Sequence, residues 1–190
     1  MIEINNLSKK FGKKIIFDNL SISIDEKGIT AIRGASGCGK TTLLRIIAGL
    51  DKKYSGKVTF EKTKKISYVF QEPRLLDHST ALENVALPLG NTEEAKKAAK
   101  EWLIRLGLEN DINTYPKEMS GGMKQRVSIA RAFAYNGDIM LLDEPLNGID
   151  KDRCIAIMDM ILEYSKNKPC IIVTHHQEQL DYLNCKIIDL

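Results

Sequence analysis

The 190-residue sequence is short of the features that mark several protein classes. It has only four cysteines, Cys38, Cys154, Cys170 and Cys185, and no two of them share a C-x-x-C spacing. That argues against a disulfide framework or a cysteine-rich metal site, and fits free thiols in a reducing compartment. No apolar run approaches the ~20 residues that a helix needs to cross a bilayer. The first residues, Met1-Ile-Glu-Ile-Asn-Asn6, are too polar for a secretory signal. A soluble, cytoplasmic chain is expected, so any membrane function would need spanning helices from another chain. Charge is nearly balanced, 28 basic against 25 acidic residues, for a net +3. The densest basic cluster, Lys62, Lys64 and Lys65, has no interleaved aromatic residue. It suits a solvated loop better than a nucleic-acid groove.

What remains is ordinary globular material. Hydrophobic residues make up 43%, enough for a core, and the length suits a single domain over 1–190. Ile2–Ile4 and Leu20–Ile24 alternate apolar and polar residues as half-buried strands do, with Phe11-Gly12 in a turn between them. Further strands are expected at Ile29–Arg33, Lys57–Phe60 and Ile66–Phe70. From Gln71 to Met119 the pattern changes, punctuated by Pro73, Pro88, Gly90 and Pro116. Within it, Glu93–Leu106 carries Ala95, Ala98, Ala99, Trp102, Leu103 and Leu106 at helical spacing. Asn91 or Thr92 is available to cap that helix, and Gly107 to stop it. A mostly helical insert, about 72–135, is expected. Helix Gly121–Tyr135, strand Asp138–Leu142, helix Lys151–Ser165 and strand Cys170–Thr174 then complete an α/β plan with much parallel pairing.

One stretch carries clear chemistry. Gly34-Ala35-Ser36-Gly37-Cys38-Gly39-Lys40-Thr41 fits the phosphate-loop pattern G-x-x-x-x-G-K-[ST]. A short apolar strand precedes it, and a helix beginning near Thr42 follows, which is the context the pattern requires. The glycines let the backbone turn tightly and aim successive N–H groups at phosphate oxygens. The helix start adds partial positive charge. Lys40 can reach the outer phosphates, and the Thr41 hydroxyl can ligate Mg²⁺.

A second feature lies at Ile139-Met-Leu-Leu-Asp143-Glu144, an apolar strand ending in two carboxylates. Acids at the end of a buried strand must meet water, a cation or a partner. Ligands of parallel α/β sheets sit at the carboxyl ends of the strands. Asp143 is therefore placed to hold Mg²⁺ beside Thr41, and Glu144 to orient or deprotonate the water that attacks a γ-phosphate.

With these residues in place, several others become readable. Ser120-Gly121-Gly122-Met-Lys-Gln125 resembles the signature of the ATP-binding cassette (ABC) ATPases, and lies between the phosphate loop and the Asp143 strand as in that family. Gln71 resembles the family's Q-loop glutamine, Glu144–Asp150 its D-loop, His175 its switch histidine, and Phe11 the aromatic residue that stacks on adenine. The resemblance implies a phosphate-loop cassette: a mostly parallel central sheet, an antiparallel N-terminal β subdomain and a helical insert. It implies ATP and Mg²⁺ as ligands, with Gln71 reaching the metal or the attacking water and His175 the γ-phosphate. It also implies a second ATPase subunit, whose Ser120, Gly121 and Gly122 would complete the site of the first. An integral membrane permease would be driven from the cytoplasmic face, with a solute-binding protein involved indirectly and no nucleic acid.

The sequence departs from the family pattern in places. Met123 and Lys124 stand where many members carry Gln, leaving Gln125 to take part of that role. Asn147-Gly148 replaces a common Ser-Ala, and the chain stops soon after His175, without a C-terminal extension. Phe70–Leu76 together with Leu82–Leu89 is similar to the nitrate, sulfonate and taurine importer branch. Asp77-His78 stands where that branch often has Pro-Trp, and Glu-Asn-Val also occurs in exporters of the lipoprotein-releasing type. Leu75, Leu76, Leu82 and Val85 are candidate contacts with a permease, and each fits the core of the insert at least as well.

Overall fold

The computed structural model describes residues 1–60, 64–90 and 92–190; Lys62 of the basic cluster and the possible cap Asn91 fall outside them. Two sheets organise the described residues. The first is antiparallel, in the order β2-β1-β4, and is built from β1 (Ile2–Phe11), β2 (Lys14–Ile24) and β4 (Ser55–Phe60). The second is parallel throughout, in the order β5-β6-β7-β3-β8. Its strands are β3 (Gly28–Arg33), β5 (Ile66–Val69), β6 (Ile139–Asp143), β7 (Pro169–Val173) and β8 (Lys186–Asp189). This is the expected mostly parallel sheet beside an antiparallel one.

β1 and β2 run much longer than their alternating cores suggest. The reason lies in register shifts between Ile4 and Leu7, between Leu7 and Lys9 and between Lys9 and Lys10. Each irregularity moves the alternation out of phase, so a fixed period of two stops matching. Asn6 and Asn19 take positive φ there, 51° and 55°, as asparagine tolerates.

Helix α1 (Lys40–Ile47) follows β3 directly. Between β5 and β6 lie α2 (Ala81–Ala86), α3 (Glu93–Arg105) and α4 (Gly121–Tyr135). Thr92 caps α3 by accepting from Ala95 N, while Thr80 and Glu83 form a reciprocal capping box on α2. α5 (Lys151–Ser165) precedes β7, and α6 (Gln177–Leu183) precedes β8.

The inner strands β6 and β7 of the parallel sheet are covered on both faces, so they are almost wholly apolar. Along β6 the side chains still divide by parity. Ile139 and Leu141 join α1 and the antiparallel sheet in one core, and Met140 and Leu142 join the insert and α5 in the other. Asp143 continues the Ile139–Leu141 parity, which puts it on the face covered by α1.

Candidate nucleotide-binding site

The phosphate loop runs from the end of β3 into α1. Gly39 caps α1 at φ 111°, a left-handed conformation that favours glycine. A Cβ there would stand 2.5 Å from Ile16 Cγ2 and 2.7 Å from Phe17 Cζ, so β2 packs directly against the loop. Lys40 Nζ curls back and donates to Gly34 O at 2.8 Å and Ala35 O at 2.9 Å. The ammonium thus sits within the loop, beside the N-terminus of α1. The first N–H groups of that helix have no intrahelical acceptor, and no acidic side chain occupies its first turn.

The two acids differ sharply in environment. Asp143 is 1% exposed and accepts a hydrogen bond from Thr41 Oγ1 at 3.2 Å. Burial, with help from the Glu144 charge, pushes its carboxyl above the usual range, against the pull of the Thr41 bond and Lys40. Glu144 has φ 48°. Among the described residues six non-glycine residues have positive φ; four are asparagines, and the other two are Arg74 and Glu144. A glutamate in this region is strained, and the surroundings must hold it there. Glu144 N donates to Val173 O at 2.9 Å, which fixes the turn to the neighbouring strand. Its carboxylate meets His175 Nδ1 at 3.0 and 3.1 Å. A carboxylate only accepts, so Nδ1 carries the hydrogen in this pair.

Ser36, Gly37, Gly39, Lys40, Thr41, Thr42, Gln71, Asp143 and Glu144 line one cavity of about 270 Å³, closed on its apolar side by Ile16 and Val173. Three motif segments, the phosphate loop, Gln71 and the Asp143–Glu144 pair, thus line one cavity. Gly34, Ala35 and Cys38 belong to the loop beneath it and do not line the cavity. Phe11 ends β1, 54% exposed, with the Lys9 ammonium 4.7 Å from its ring centre. Lys9 is itself buried, held by Asp51 Oδ1 at 2.8 Å and Lys53 O at 2.7 Å. The held ammonium thus lies over one face of a ring that is more than half exposed.

The donor set suits a hard cation. Thr41 and Asp143 offer a hydroxyl and a carboxylate already in contact, and the Gln71 amide shares their cavity. One carboxylate plus substrate phosphates and waters is how Mg²⁺ is commonly held, without a dedicated cage of protein ligands. Accordingly, the described residues contain no cluster of three or more His, Cys, Asp or Glu placed for a metal.

Ser120, Gly121 and Gly122 stand apart, and none lines the cavity. Ser120 caps α4 by accepting from Met123 N at 3.2 Å. A Cβ on Gly122 would stand 2.5 Å from Gly148 O, so the glycine permits the loop after Glu144 to press against the helix start. Gln125 does not share the exposed face of this helix start. It is 3% exposed and donates from Nε2 to Pro145 O at 3.1 Å. The expectation that it substitutes for a signature glutamine is therefore corrected: its amide ties α4 to the loop of its own chain. Similarly, Arg131 of α4 donates to Arg74 O and Pro73 O, holding the segment after Gln71. Sequence spacing gave no sign of these two tethers, which join residues far apart in the chain.

The fold and this convergence of loop, acids and histidine define an ABC-type ATPase domain. The ABC transporter family matches residues 17–147, and the chain belongs to that family. Among similar proteins, the aliphatic sulfonates import ATP-binding protein SsuB of Bacillus cereus is 35% identical over 98% of this chain and 80% of its own length. The arginine transport ATP-binding protein ArtM of Bacillus subtilis is 36% identical over 93% of this chain and 81% of its own. In structure, the chain is similar to the ATP-binding cassette MJ0796, solved as a dimer in a post-hydrolysis state bound to ADP and Pi. The TM-score is 0.91 with 34% sequence identity, covering 100% of this chain and 94% of that one.

Proposed function

We propose that this chain binds Mg-ATP in the cavity around Lys40 and hydrolyses it to drive a membrane permease, with two copies enclosing two nucleotides. The observation that carries the reading is the convergence of the phosphate loop, Gln71, Asp143 and Glu144 on one 270 Å³ cavity. Loop N–H groups from Gly34 to Thr42 and Lys40 take the phosphates, with phosphate oxygens replacing the Gly34 and Ala35 carbonyls as acceptors for Nζ. Phe11 takes the adenine on its exposed ring. Thr41, Asp143 and Gln71 hold Mg²⁺, whose charge offsets what develops on the β- and γ-oxygens. Glu144 accepts the proton of the attacking water. His175 fixes the Glu144 carboxylate and hydrogen-bonds the γ-phosphate.

Ser120, Gly121 and Gly122 serve a nucleotide on the second copy. Ser120 and Gly121 are exposed and begin a long helix, and no nucleotide-binding group of their own chain faces them in the cavity. The dimeric state of the similar cassette supports this arrangement. Within the single domain 1–190, the insert of about 72–135 is the part that meets the permease. Leu76 is 46% exposed and Leu87 50%, whereas Leu75 and Leu82 are half-buried and Val85 is fully buried. Val85 is thus core of the insert, and contact falls to Leu76 and Leu87. Inward transport of a small solute such as nitrate, sulfonate or taurine is the reading we favour, because the sulfonate and sulfate relatives are import subunits. The chain then works at the cytoplasmic face of the membrane; no helix of the described residues is long and apolar enough to cross it.

Lys40→Ala tests the nucleotide site. At ligand about 100 times its Kd, binding adds ~2.7 kcal/mol, or roughly 5–10 °C in melting temperature for a chain of this size. Wild-type protein should show that shift with Mg-ATP, and Lys40→Ala should lose it. A wild type that melts at the same temperature with and without Mg-ATP would refute the site.

A further inference from the structure

Two buried side-chain polar atoms among the described residues lack any hydrogen-bond partner: Ser128 Oγ and Tyr68 Oη. A buried polar group without a partner costs free energy, and such groups in folded proteins call for an explanation. Ser128 lies within α4, away from the cavity lining. Tyr68 lies beside the acids. It pairs with Leu141 across the β5–β6 ladder, two residues before Asp143. Leu141 and Asp143 share a face of the sheet, and Tyr68 packs in the same core as Leu141. The phenol is near enough for the charges of Asp143, Arg45 of α1 and Arg74 to act on it, and it bears on the Asp143 carboxylate as a weak donor, short of full hydrogen-bond geometry.

The ring has little freedom to look elsewhere. It stacks on Phe70 with centroids 4.0 Å apart and planes 13° from parallel, and the Arg74 guanidinium covers Phe70 at 4.5 Å. Arg74 is itself held by its own carbonyl, through Arg131 of α4. The hydroxyl is therefore presented to the Asp143 corner by a clamped aromatic pair. Thr41 approaches the same carboxylate from α1 and bonds Oδ1, and the Tyr68 hydroxyl is the other side-chain donor that bears on it.

We propose that Tyr68 is a positioning residue for the metal corner, donating its hydroxyl to the Asp143 carboxylate when Asp143 engages Mg²⁺ with the nucleotide. The inference rests on the Mg-ATP reading above. With Thr41 on one oxygen and Tyr68 on the other, the carboxylate would be held in one orientation for a metal ion. The protein thereby carries an unpaired donor in the free site that finds its partner in the loaded one, which is preorganisation for the metal-bound state.

The test compares wild type, Tyr68→Phe and Asp143→Asn by two readings that do not involve turnover. One is the melting temperature without nucleotide. The other is the affinity for a fluorescent, non-hydrolysed ATP analogue, measured once in Mg²⁺ and once in EDTA. For Tyr68→Phe we expect an unchanged or higher melting temperature and an EDTA affinity within about twofold of wild type. The gain in affinity given by Mg²⁺ should fall by roughly 10- to 150-fold, the effect of losing one hydrogen bond to a charged group. A Mg²⁺ gain equal to that of wild type would overturn the proposal. So would a lowered melting temperature with both affinities reduced alike, since that marks a packing role. If wild type itself gains nothing from Mg²⁺, or Asp143→Asn keeps the gain, the metal reading fails first and takes the Tyr68 assignment with it.

Discussion

Asp143 illustrates how the site is made at the expense of the fold. Its carboxyl is held above the ordinary range chiefly by burial. A raised folded-state pKa means that the neutral form is favoured on folding. The stability associated with this group is therefore complete below its unfolded pKa and is lost as pH rises through the folded one. At neutral pH the buried charge is a burden on the empty site. Asp143→Asn keeps an oxygen that can accept from Thr41 and removes the charge. It should melt about 2–4 °C higher than wild type without nucleotide, the effect of ~1 kcal/mol in a chain of this length, and show no additional shift from Mg²⁺. Thermal denaturation of both proteins at pH 7 and pH 5 checks the sign, because the difference should narrow at the lower pH. Residues of this kind were legible in the sequence, because a phosphate loop and paired acids are local patterns whose chemistry is fixed by residue type. Tyr68, Gln125 and Arg131 were not. Each acts through a partner twenty or more residues away, at Asp143, Pro145 and Arg74. Nothing in their immediate neighbours announces it.

The elements follow the same division. Helices α3, α4 and α5 and the buried strands β6 and β7 have periodic or continuous apolar patterns, and the structure has them within a residue or two of the expected bounds. The short α2 and α6 and the edge strand β8 did not stand out, since six or seven residues span less than two helical turns and Lys186–Asp189 holds only two apolar residues. Their stability comes from contacts instead. Asn84 of α2 is fully buried. Its Nδ2 donates to Leu76 O at 3.1 Å, Ser79 O at 2.9 Å and Thr80 O at 3.0 Å, while Oδ1 accepts from Leu76 N at 2.7 Å. A single side chain thus organises the segment leading from Gln71 into the insert. Asn84→Ala takes this partner from Leu76 N and Ser79 O, while Leu76 O and Thr80 O keep backbone donors, and should cost roughly 2–4 kcal/mol, seen as a lower melting temperature or denaturant midpoint. An Asn84→Ala protein as stable as wild type would show that water replaces the side chain there. The Glu-Asn-Val segment, noticed in the sequence for its likeness to transporter families, thereby has a structural account that is independent of transport direction.

At the scale of the whole molecule, the parallel sheet gathers the chemistry at the carboxyl ends of β3 and β6, and the antiparallel sheet presses β2 against the phosphate loop through Ile16 and Phe17. The insert carries Ser120 away on a separate helix. Gly122 against Gly148 and Gln125 against Pro145 tie that helix start to the loop after Glu144 within the same chain. A change in how Glu144 is held can therefore reach the exposed signature directly, and through it a second copy. On the proposed function, one copy supplies half of each site. Glu144→Gln should retain nucleotide binding, nearly abolish hydrolysis, and so hold the closed state. The measurement that tests this most directly is the molar mass of Glu144→Gln by light scattering on a sizing column, with and without Mg-ATP. The account predicts a monomer of 21.4 kDa without nucleotide and twice that mass with it. A protein that binds Mg-ATP but remains a monomer at every concentration tested would contradict it.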